Sequence, residues 1–465
     1  MPKKYNVKTK IVPPRFTPIG KSGIVDFSED CARCQACAKD ACIYDVYTNR
    51  KFDSKQLADS IDYLCKNCFR CIQTCKKGLI SKSINPEYLK MGDDYWTPDI
   101  ISRNWFQAET GKIPVSGAGY RGKFVDKGFD EMWTDMSEIV RPTRDGIHGR
   151  EYISTSIDLG RKLSVLQFDK EGSLISDPPH IIDIPIPMIF NLLPFGVISE
   201  NVLLTIAKAA QELKTFMIIK EEDLTSPLMP YANWLIPQTS IKNDKFPEKI
   251  IRNVKIIELF YEDDFAKRIE SVKGADPEVI VSLKLPLDDR STTIVEDLVL
   301  KGVEIIHLFA DLHGNAINGA NPRFVKDMVR EVHLNLVEKS LRDEVTLLVS
   351  GGIAMAEHVA KVIICGADGV AIDLPLLIAL ECRLCKRCQR ELPCPVEVGN
   401  IELKWAVQRV MNLVGAWRSQ LLEVLGAMGL REVRRLRGEL GRAMFFHDLE
   451  RENFAPIFGE RKQNL

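Results

Sequence analysis

The sequence has little net charge and no long apolar run. Its 63 basic and 64 acidic residues give a formal net charge of −1, so bulk charge does not favour binding to nucleic acid or a membrane surface. The longest apolar candidate, residues 181–198, is interrupted by Asp183, Asn191 and prolines. The basic start of the chain also lacks the apolar segment of a signal peptide. We therefore expect a cytoplasmic protein without a membrane span.

Cysteine, by contrast, is abundant, with 13 in the chain. The cysteines form one group within residues 31–75 and a second within 382–394, and Cys365 stands apart from both. Disulfide frameworks usually belong to small secreted domains, which this long chain is not. Grouped thiolates in a reducing compartment are better explained as metal ligands, whereas Cys365 follows an apolar helix face and is predicted to lie in the core.

The first cysteine group contains two runs that open in the same way. Each begins with three cysteines at two-residue gaps and ends with a fourth a few residues later. In bacterial two-cluster ferredoxins the fourth cysteine of a run ligates the other cluster. We therefore assign one [4Fe–4S] cluster to Cys31, Cys34, Cys37 and Cys75, and the other to Cys65, Cys68, Cys71 and Cys42. Zinc is the alternative, but structural zinc sites usually pair two C-x2-C knuckles across a longer loop.

The second cysteine group has the same opening and ends in Cys-Pro. Its spacing predicts a third [4Fe–4S] cluster, with zinc again as the alternative. The predicted ligands are Cys382, Cys385, Cys388 and Cys394. Because the group follows the last predicted strand closely, the cluster should stay near the end of that strand.

From about residue 180, short apolar runs alternate with helical segments, a pattern typical of a parallel sheet covered on both faces. Eight such runs predict an α/β fold with a (β/α)8 barrel, and a distorted barrel or an open sheet is the alternative. The predicted strands are 182–190, 216–219, 232–238, 254–260, 279–285, 303–310, 345–350 and 368–373. The predicted domains are an α+β two-cluster ferredoxin module (1–90), a connecting arm (91–180), the barrel (181–380), the third cluster segment (381–400) and a helical extension (401–465).

Small and charged residues mark two strand ends of the predicted barrel. Strand seven ends in Ser350-Gly351-Gly352, and the loops after strands seven and eight form the usual phosphate site of such barrels. Glycine lets backbone N–H groups approach phosphate closely, although a tight turn would also explain the pair. Lys284 lies near the end of strand five, where it would either face an anion or flavin or be an ordinary rim lysine.

The segment from Val349 to Val398 resembles the end of the FMN-binding synthase domain of glutamate synthase, in which a Gly-Gly loop and a final strand precede a cysteine cluster. The fragments PFGVISENVLLTIAKAA and VIVSLKLP resemble earlier parts of that domain, and the leading ferredoxin module resembles archaeal-type members. The resemblance implies FMN at the barrel mouth, with Lys284 beside the flavin ring. It also implies a three-iron cluster, to which Cys385 adds a fourth ligand that favours four irons here. The flavin-binding residues implied by the resemblance are Ser350, Gly351, Gly352, Gly366 and Gly369, with Gly196 and Gln238 as weaker matches.

The sequence departs from the resembled family where substrate binds. Glycine-rich stretches that bind 2-oxoglutarate and flavin in the family are replaced at 219–223 and 312–317, and a Gln-Gly-Ala-Lys loop is missing. Self-sufficient glutamate synthesis is therefore not expected. Three functions remain open: an oxidoreductase subunit that passes electrons between three clusters and FMN, a flavin-free electron-transfer or scaffold subunit, and a component of an archaeal-type glutamate synthase. The expected partners are other redox subunits of a larger complex or soluble electron carriers.

Overall fold

The computed structural model describes residues 5–27, 34, 36–47, 61, 64–113, 128–134, 152–196, 198–239, 247–262, 264–318 and 323–459. The strands are, in chain order, β1 (Ser22–Phe27), β2 (Ile80–Ile84), β3 (Met132–Thr134), β4 (Ile157–Leu159), β5 (Ile182–Ile184), β6 (Met188–Phe190), β7 (Met217–Lys220), β8 (Leu235–Gln238), β9 (Ile256–Phe260), β10 (Ile280–Pro286), β11 (Ile305–Phe309), β12 (Thr346–Ser350), β13 (Gly369–Ile372) and β14 (Ala443–Phe445). The α-helices are α1 (Arg70–Thr74), α2 (Pro86–Leu89), α3 (Pro98–Thr110), α4 (Glu200–Leu213), α5 (Glu248–Ile251), α6 (Phe265–Ala275), α7 (Ser291–Leu300), α8 (Val325–Glu338), α9 (Ala356–Ile364), α10 (Leu374–Ala379), α11 (Leu403–Ala427), α12 (Phe446–Leu449) and α13 (Ala455–Phe458).

Strands β6 to β13 close into a parallel barrel in chain order, with β13 pairing back onto β6. Nearly every residue of these strands is buried, because helices cover the outside and side chains fill the inside. The prediction of an α/β fold with a (β/α)8 barrel is confirmed, and the open sheet is excluded. Two 3-10 turns, Glu221–Asp223 and Ser226–Trp234, join β7 to β8 in place of an α-helix.

The first predicted strand, 182–190, is split in the structure. Only β6 enters the barrel, whereas β5 forms an antiparallel hairpin with β4. Prolines at 185 and 187 separate the two pieces, because proline lacks the N–H that a central strand must donate. The hairpin covers the N-terminal end of the barrel, where Thr346 Oγ1 is 2.8 Å from the Gly160 carbonyl.

The opposite end of the barrel is covered by the arm that precedes it. Helix α3 packs against α10 and α11. Just before α3, the Trp96 indole donates to the Leu312 carbonyl (2.8 Å) and the Tyr95 hydroxyl donates to the Gly352 carbonyl (2.5 Å). These bonds fix the arm to the loops after β11 and β12, which are the loops at which barrel chemistry takes place.

Asn412 ties the N-terminal segment to the long helix α11. Its buried side chain accepts from Lys10 N–H (3.1 Å) and donates to the carbonyls of Lys10 (2.7 Å) and Ala108 (2.9 Å). Asn412→Ala should lower the free energy of unfolding by about 2–3 kcal/mol, because it leaves buried backbone groups without partners. Urea unfolding followed by circular dichroism measures this loss. Gln408→Ala is the matched control on the same helix. The Gln408 amide donates to the exposed Lys8 carbonyl and to Asn412 Oδ1, each at 3.0 Å, and its loss leaves the bonds from Asn412 to the backbone in place, so it should cost under about 1 kcal/mol.

The N-terminal head is a separate small unit. Strands β1 and β2 pair antiparallel, and a small core forms from Ala41, Val46, Tyr47, Cys71 and Ile80. Lys21 Nζ lies 2.8 Å from the Asp99 carboxylate at the start of α3 and links the head to the arm. Within the part of the chain that the structure describes, no helix is both long and apolar enough to span a membrane.

Candidate functional site at the barrel mouth and the cysteine loop

A hydrogen-bonded polar network centred on Glu258 crosses the inside of the barrel. Glu258 Oε1 accepts from Gln238 Nε2 (2.5 Å) and lies 3.7 Å from Lys284 Nζ. Its Oε2 lies 2.7 Å from His307 Nδ1, and His307 Nε2 lies 2.8 Å from Ser350 Oγ. Because an ionised carboxylate only accepts, His307 donates from Nδ1 and accepts the Ser350 hydroxyl at Nε2. All five side chains are buried, so the network fills the barrel rather than lining an open pocket.

Burial and charge act in opposite directions on Glu258. Burial would raise its pKa. The positive charges of protonated His307 and of Lys284, together with hydrogen bonds from His307 and Gln238, instead lower the pKa to about 2. Burial also lowers the pKa of His307, and Glu258 offsets only part of that effect. The network therefore holds an ionised Glu258 beside a neutral imidazole at neutral pH.

Lys284 occupies the C-terminal end of strand β10, as predicted, but it is not a solvent-facing rim lysine. Its side chain is only 9% exposed. Its ammonium lies 5.7 Å from the ring centre of Phe260 and 5.4 Å from that of Phe309. Two aromatic faces and the Glu258 carboxylate thus surround the lysine side chain.

Gly351 and Gly352 form a tight left-handed turn after β12, with φ of 98° and 69°. A Cβ on Gly351 would lie 2.7 Å from the Ala310 carbonyl oxygen, and one on Gly352 would lie 2.6 Å from Gly314 Cα. Both positions therefore require glycine, because the loop after β11 packs directly against them. Ser350, just before the turn, has its hydroxyl engaged by the barrel network.

Gly366 and Gly369 lie at the other end of the barrel. Gly366 precedes β13 and packs against the side chain of His333, and Gly369 packs against Ile157 of the closing hairpin. The structure does not bring these two glycines to the end where Gly351 and Gly352 lie. Their conformations are explained by this packing alone.

The usual phosphate position of the barrel, after strands β12 and β13, is lined by side chains of this chain. Asp373 is the residue that follows β13, and its buried carboxylate accepts from the Leu374 N–H at 2.5 Å. His358 Nδ1 lies between the Ala354 N–H (3.1 Å) and the Gly352 carbonyl (3.2 Å). Burial raises the pKa of Asp373 to about 6, and the Leu374 amide and the charge of Lys284 limit the rise.

The cysteine triplets at 65–71 and 382–388 share one unusual backbone conformation. In each, the residues on both sides of the middle cysteine are non-glycine residues with positive φ. These residues are Asn67 (53°) and Phe69 (58°) beside Cys68, and Leu384 (49°) and Lys386 (54°) beside Cys385. Where a residue in the left-handed backbone region adjoins one in the right-handed region, successive backbone N–H groups turn towards the same side. This arrangement recurs at iron–sulfur sites.

The third cysteine group surrounds one small cavity beside the barrel mouth. The lining includes apolar side chains, basic side chains and the predicted flavin contact Gly196, which has φ of 118°. Burial raises the pKa of Cys382 to about 12. Among the described residues, no three His, Cys, Asp or Glu side chains converge as ligands of a single metal ion would. The cysteines that line the cavity are Cys382, Cys385, Cys388 and Cys394.

The described cysteines of the head also gather around one core. Cys71 is buried, and Cys37, Cys42, Cys65 and Cys75 pack against that core. The Sγ of Cys65 accepts from Lys82 Nζ at 2.9 Å. Two further predicted ligands, Cys34 and Cys68, are exposed, and Cys31 lies outside the described residues.

Helix α3 lies between the head and the third cysteine group. Lys66, next to Cys65, has its ammonium 5.4 Å from the ring centre of Phe106 on α3. Glu109, one turn further along, lines a small cavity together with Glu381 and Arg383, which flank Cys382. Among the described residues of the head, the 65–71 triplet thus lies against the helix that borders the third cysteine group.

A cavity of about 740 Å³ opens between the arm and the loops after β11 and β12. On its wall, the Asp93 carboxylate lies 3.1 Å from both His313 Nε2 and Lys386 Nζ. Burial would raise the pKa of Asp93, but the Trp96 N–H and these two partners lower it to about 2. Lys386 belongs to the third cysteine group, so the cavity and that group share a wall.

Sequence reasoning did not identify Glu258, His307 or Asp373. A signal was available for the first two, because each is a polar residue inside an otherwise apolar strand, in VKIIELF and VEIIHLFA. Such residues have to be paired inside the barrel. Asp373 is the residue directly after the last strand, at the end where barrel chemistry lies.

Comparison with known proteins finds sequence relatives that match most of this chain. A family model described as a conserved region in glutamate synthase matches residues 241–431. An archaeal-type glutamate synthase [NADPH] of Dehalococcoides mccartyi is 25% identical over 89% of this chain and 93% of its own length. The archaeal glutamate synthase [NADPH] of Archaeoglobus fulgidus is 25% identical over 88% and 91%. Among solved structures, a mandelate oxidase with an FMN adduct covers 61% of this chain and 87% of its own, with a TM-score of 0.39 and 16% identity.

Proposed function

We propose that this chain, which is similar to glutamate synthases over most of its length, is an oxidoreductase component of that type that relays electrons through three [4Fe–4S] clusters. Two clusters lie in the N-terminal head and the third lies beside the barrel mouth. The ligands are the twelve cysteines assigned from their spacing. Other redox subunits or soluble carriers exchange electrons with the head, where Cys34 and Cys68 are exposed.

The single observation that carries this proposal is the backbone conformation that the 65–71 and 382–388 triplets have in common. A non-glycine residue in the left-handed region costs roughly 1–2 kcal/mol, and each triplet contains two such residues. Strain of this kind persists where the surroundings impose it, most often at functional sites. A bound cluster would account for it, because N–H groups turned to one side could donate to its negatively charged sulfurs. Since a cubane separates its ligand sulfurs more widely than one ion does, the cysteines need not converge on a single point.

The contact between head and barrel orders the relay. The cluster held by Cys65, Cys68, Cys71 and Cys42 is the inner one, because Lys66 touches helix α3 and α3 borders Glu381. The cluster that includes Cys34 is then the outer one and receives electrons first. A third cluster, held by the cysteines that line the cavity beside the barrel mouth, would lie next to the larger cavity that shares Lys386.

The similarity to glutamate synthases also suggests FMN at the barrel mouth, and the residues fit this cofactor only in part. The buried ammonium of Lys284 suits an electron-rich ring. The phosphate position does not fit, because a carboxylate and an imidazole already occupy it. No step of the relay is therefore assigned to a flavin. Glutamate synthesis is not proposed, because the stretches that bind 2-oxoglutarate in the resembled family are replaced at 219–223 and 312–317.

Anaerobic purification with metal and sulfide analysis tests the relay. We expect about twelve irons per chain and no zinc, and reduced protein should give electron paramagnetic resonance spectra of clusters that interact magnetically. Cys365→Ala is the matched control, because this buried cysteine lies outside every cysteine group, and it should keep the full iron content. Zinc in place of iron, or about eight irons without a third cluster, would contradict the proposal.

A further inference from the structure

The position that holds phosphate in barrels of this type is filled by side chains of this chain. A phosphate there is bound by the loops after the seventh and eighth strands and by the start of a short extra helix. In this protein these parts are the Gly351-Gly352 turn, Asp373 and the first residues of α10. Each of them already has a partner within the chain.

Two backbone donors of this position are occupied. The Leu374 N–H donates to the Asp373 carboxylate at 2.5 Å. The Ala354 N–H faces His358 Nδ1 at 3.1 Å, and the imidazole also lies 3.2 Å from the Gly352 carbonyl. In either tautomer the buried ring lies in front of this amide. A phosphate would have to displace both side chains.

Close packing and negative charge at this position also disfavour the binding of an anion. The Gly351-Gly352 turn is in contact with the backbone of residues 310–314, and Tyr95 is bonded to it from the arm. Burial raises the pKa of Asp373 only to about 6, so its carboxylate is mainly ionised at neutral pH. Asp373 and Glu258 therefore place two negative charges near the single ammonium of Lys284, and a phosphate dianion would add further repulsion.

We propose that Asp373 and His358 take the place of the flavin phosphate, so that this barrel does not hold FMN as a resident cofactor. The proposal goes beyond the electron relay and is independent of it, because the relay uses the cysteine groups alone. The Asp373 carboxylate accepts a hydrogen bond at the start of α10. In barrels that bind a phosphate-bearing cofactor, the phosphate accepts hydrogen bonds at the corresponding helix start.

FMN titration of the purified protein, followed by quenching of flavin fluorescence, tests the proposal. Wild-type protein should carry no FMN after gel filtration. Asp373→Gly removes the carboxylate and frees the Leu374 N–H, so it should bind FMN at least about tenfold more tightly than wild type, a gain of about 1.4 kcal/mol. Asp373→Asn, the matched control, keeps an acceptor on that N–H and should gain less. Affinity for riboflavin, which lacks the phosphate, should not change.

Three results would overturn the proposal. These are about one FMN per wild-type chain, no gain in FMN affinity in the glycine variant, and an equal gain for riboflavin. Asp373→Ala repeats the measurement without added backbone freedom, so misfolding of the glycine variant does not leave the question open. Iron content is measured on the same samples, and a failure of the relay would show there without altering the flavin result.

Discussion

Glu258→Ala is expected to lower the free energy of unfolding by about 3–5 kcal/mol, because removing one partner of a buried ion pair leaves the others uncompensated. The change leaves Gln238 Nε2, His307 Nδ1–H and Lys284 Nζ without their common acceptor inside the barrel. Denaturant unfolding, followed by far-ultraviolet circular dichroism, measures the loss as a shift in midpoint.

Glu258→Gln is the matched control. Glutamine keeps the size and one acceptor oxygen but not the charge, so its cost should lie between those of wild type and alanine. If the free energy of unfolding of the alanine variant fell by less than about 1 kcal/mol, Glu258 would not hold the buried network together, because so small a loss is typical of a surface substitution.

The same network should make stability depend on acidity. Because the pKa of Glu258 is about 2 in the folded protein and 4.5 ordinarily, its contribution is fully present above about pH 4.5. It is lost as the pH falls towards 2, since the unfolded chain then binds a proton that the folded chain does not. The alanine variant should lack this part of the acid dependence.

Much of the barrel could be predicted from the sequence, because its strands are buried on both sides and read as continuous apolar runs. The exception is informative. Residues 182–190 form one apolar run, but Pro185 and Pro187 divide it, and only Met188–Phe190 belongs to the barrel. The apolar signal records burial, whereas backbone hydrogen bonding decides which of the buried residues join the sheet.

The interior of the site could be predicted less well. Lys284 was identified from its place near a strand end, whereas Glu258 and His307 were not, because their importance depends on which strands become neighbours. Gly366 and Gly369 are close in sequence to the last strand, but they precede its body and lie at the far end. Strand direction therefore separates residues that a sequence motif groups together.

The cysteine groups could be predicted better than the polar network inside the barrel but less fully than the barrel strands. Spacing alone grouped Cys382, Cys385, Cys388 and Cys394, and the structure places these four around one cavity. The left-handed residues beside the middle cysteines could not be predicted, because Leu384 and Phe69 belong to residue types that rarely adopt positive φ. Their conformation is the structural feature that points most directly to a cluster.

Cys385→Ala is expected to convert the third cluster from four irons to three, lowering the iron content by about one atom per chain. Cys385 is the middle ligand of its triplet, and the three remaining cysteines still line the cavity. The oxidised variant should then show the paramagnetic signal of a [3Fe–4S] cluster, which wild type lacks. Iron analysis and electron paramagnetic resonance on anaerobic samples make the comparison.

Cys388→Ala separates this expectation from general damage to the loop. Cys388 begins the short 3-10 turn Cys388–Arg390, and its loss should remove the whole third cluster, or about four irons, while the head keeps its own. Cys365→Ala should leave both the iron content and the spectrum unchanged, because that thiol is buried in the core beside Met132. If Cys385→Ala lost no iron, the fourth ligand would not belong to Cys385. If it lost as much iron as Cys388→Ala, the three remaining cysteines would be unable to hold a cluster.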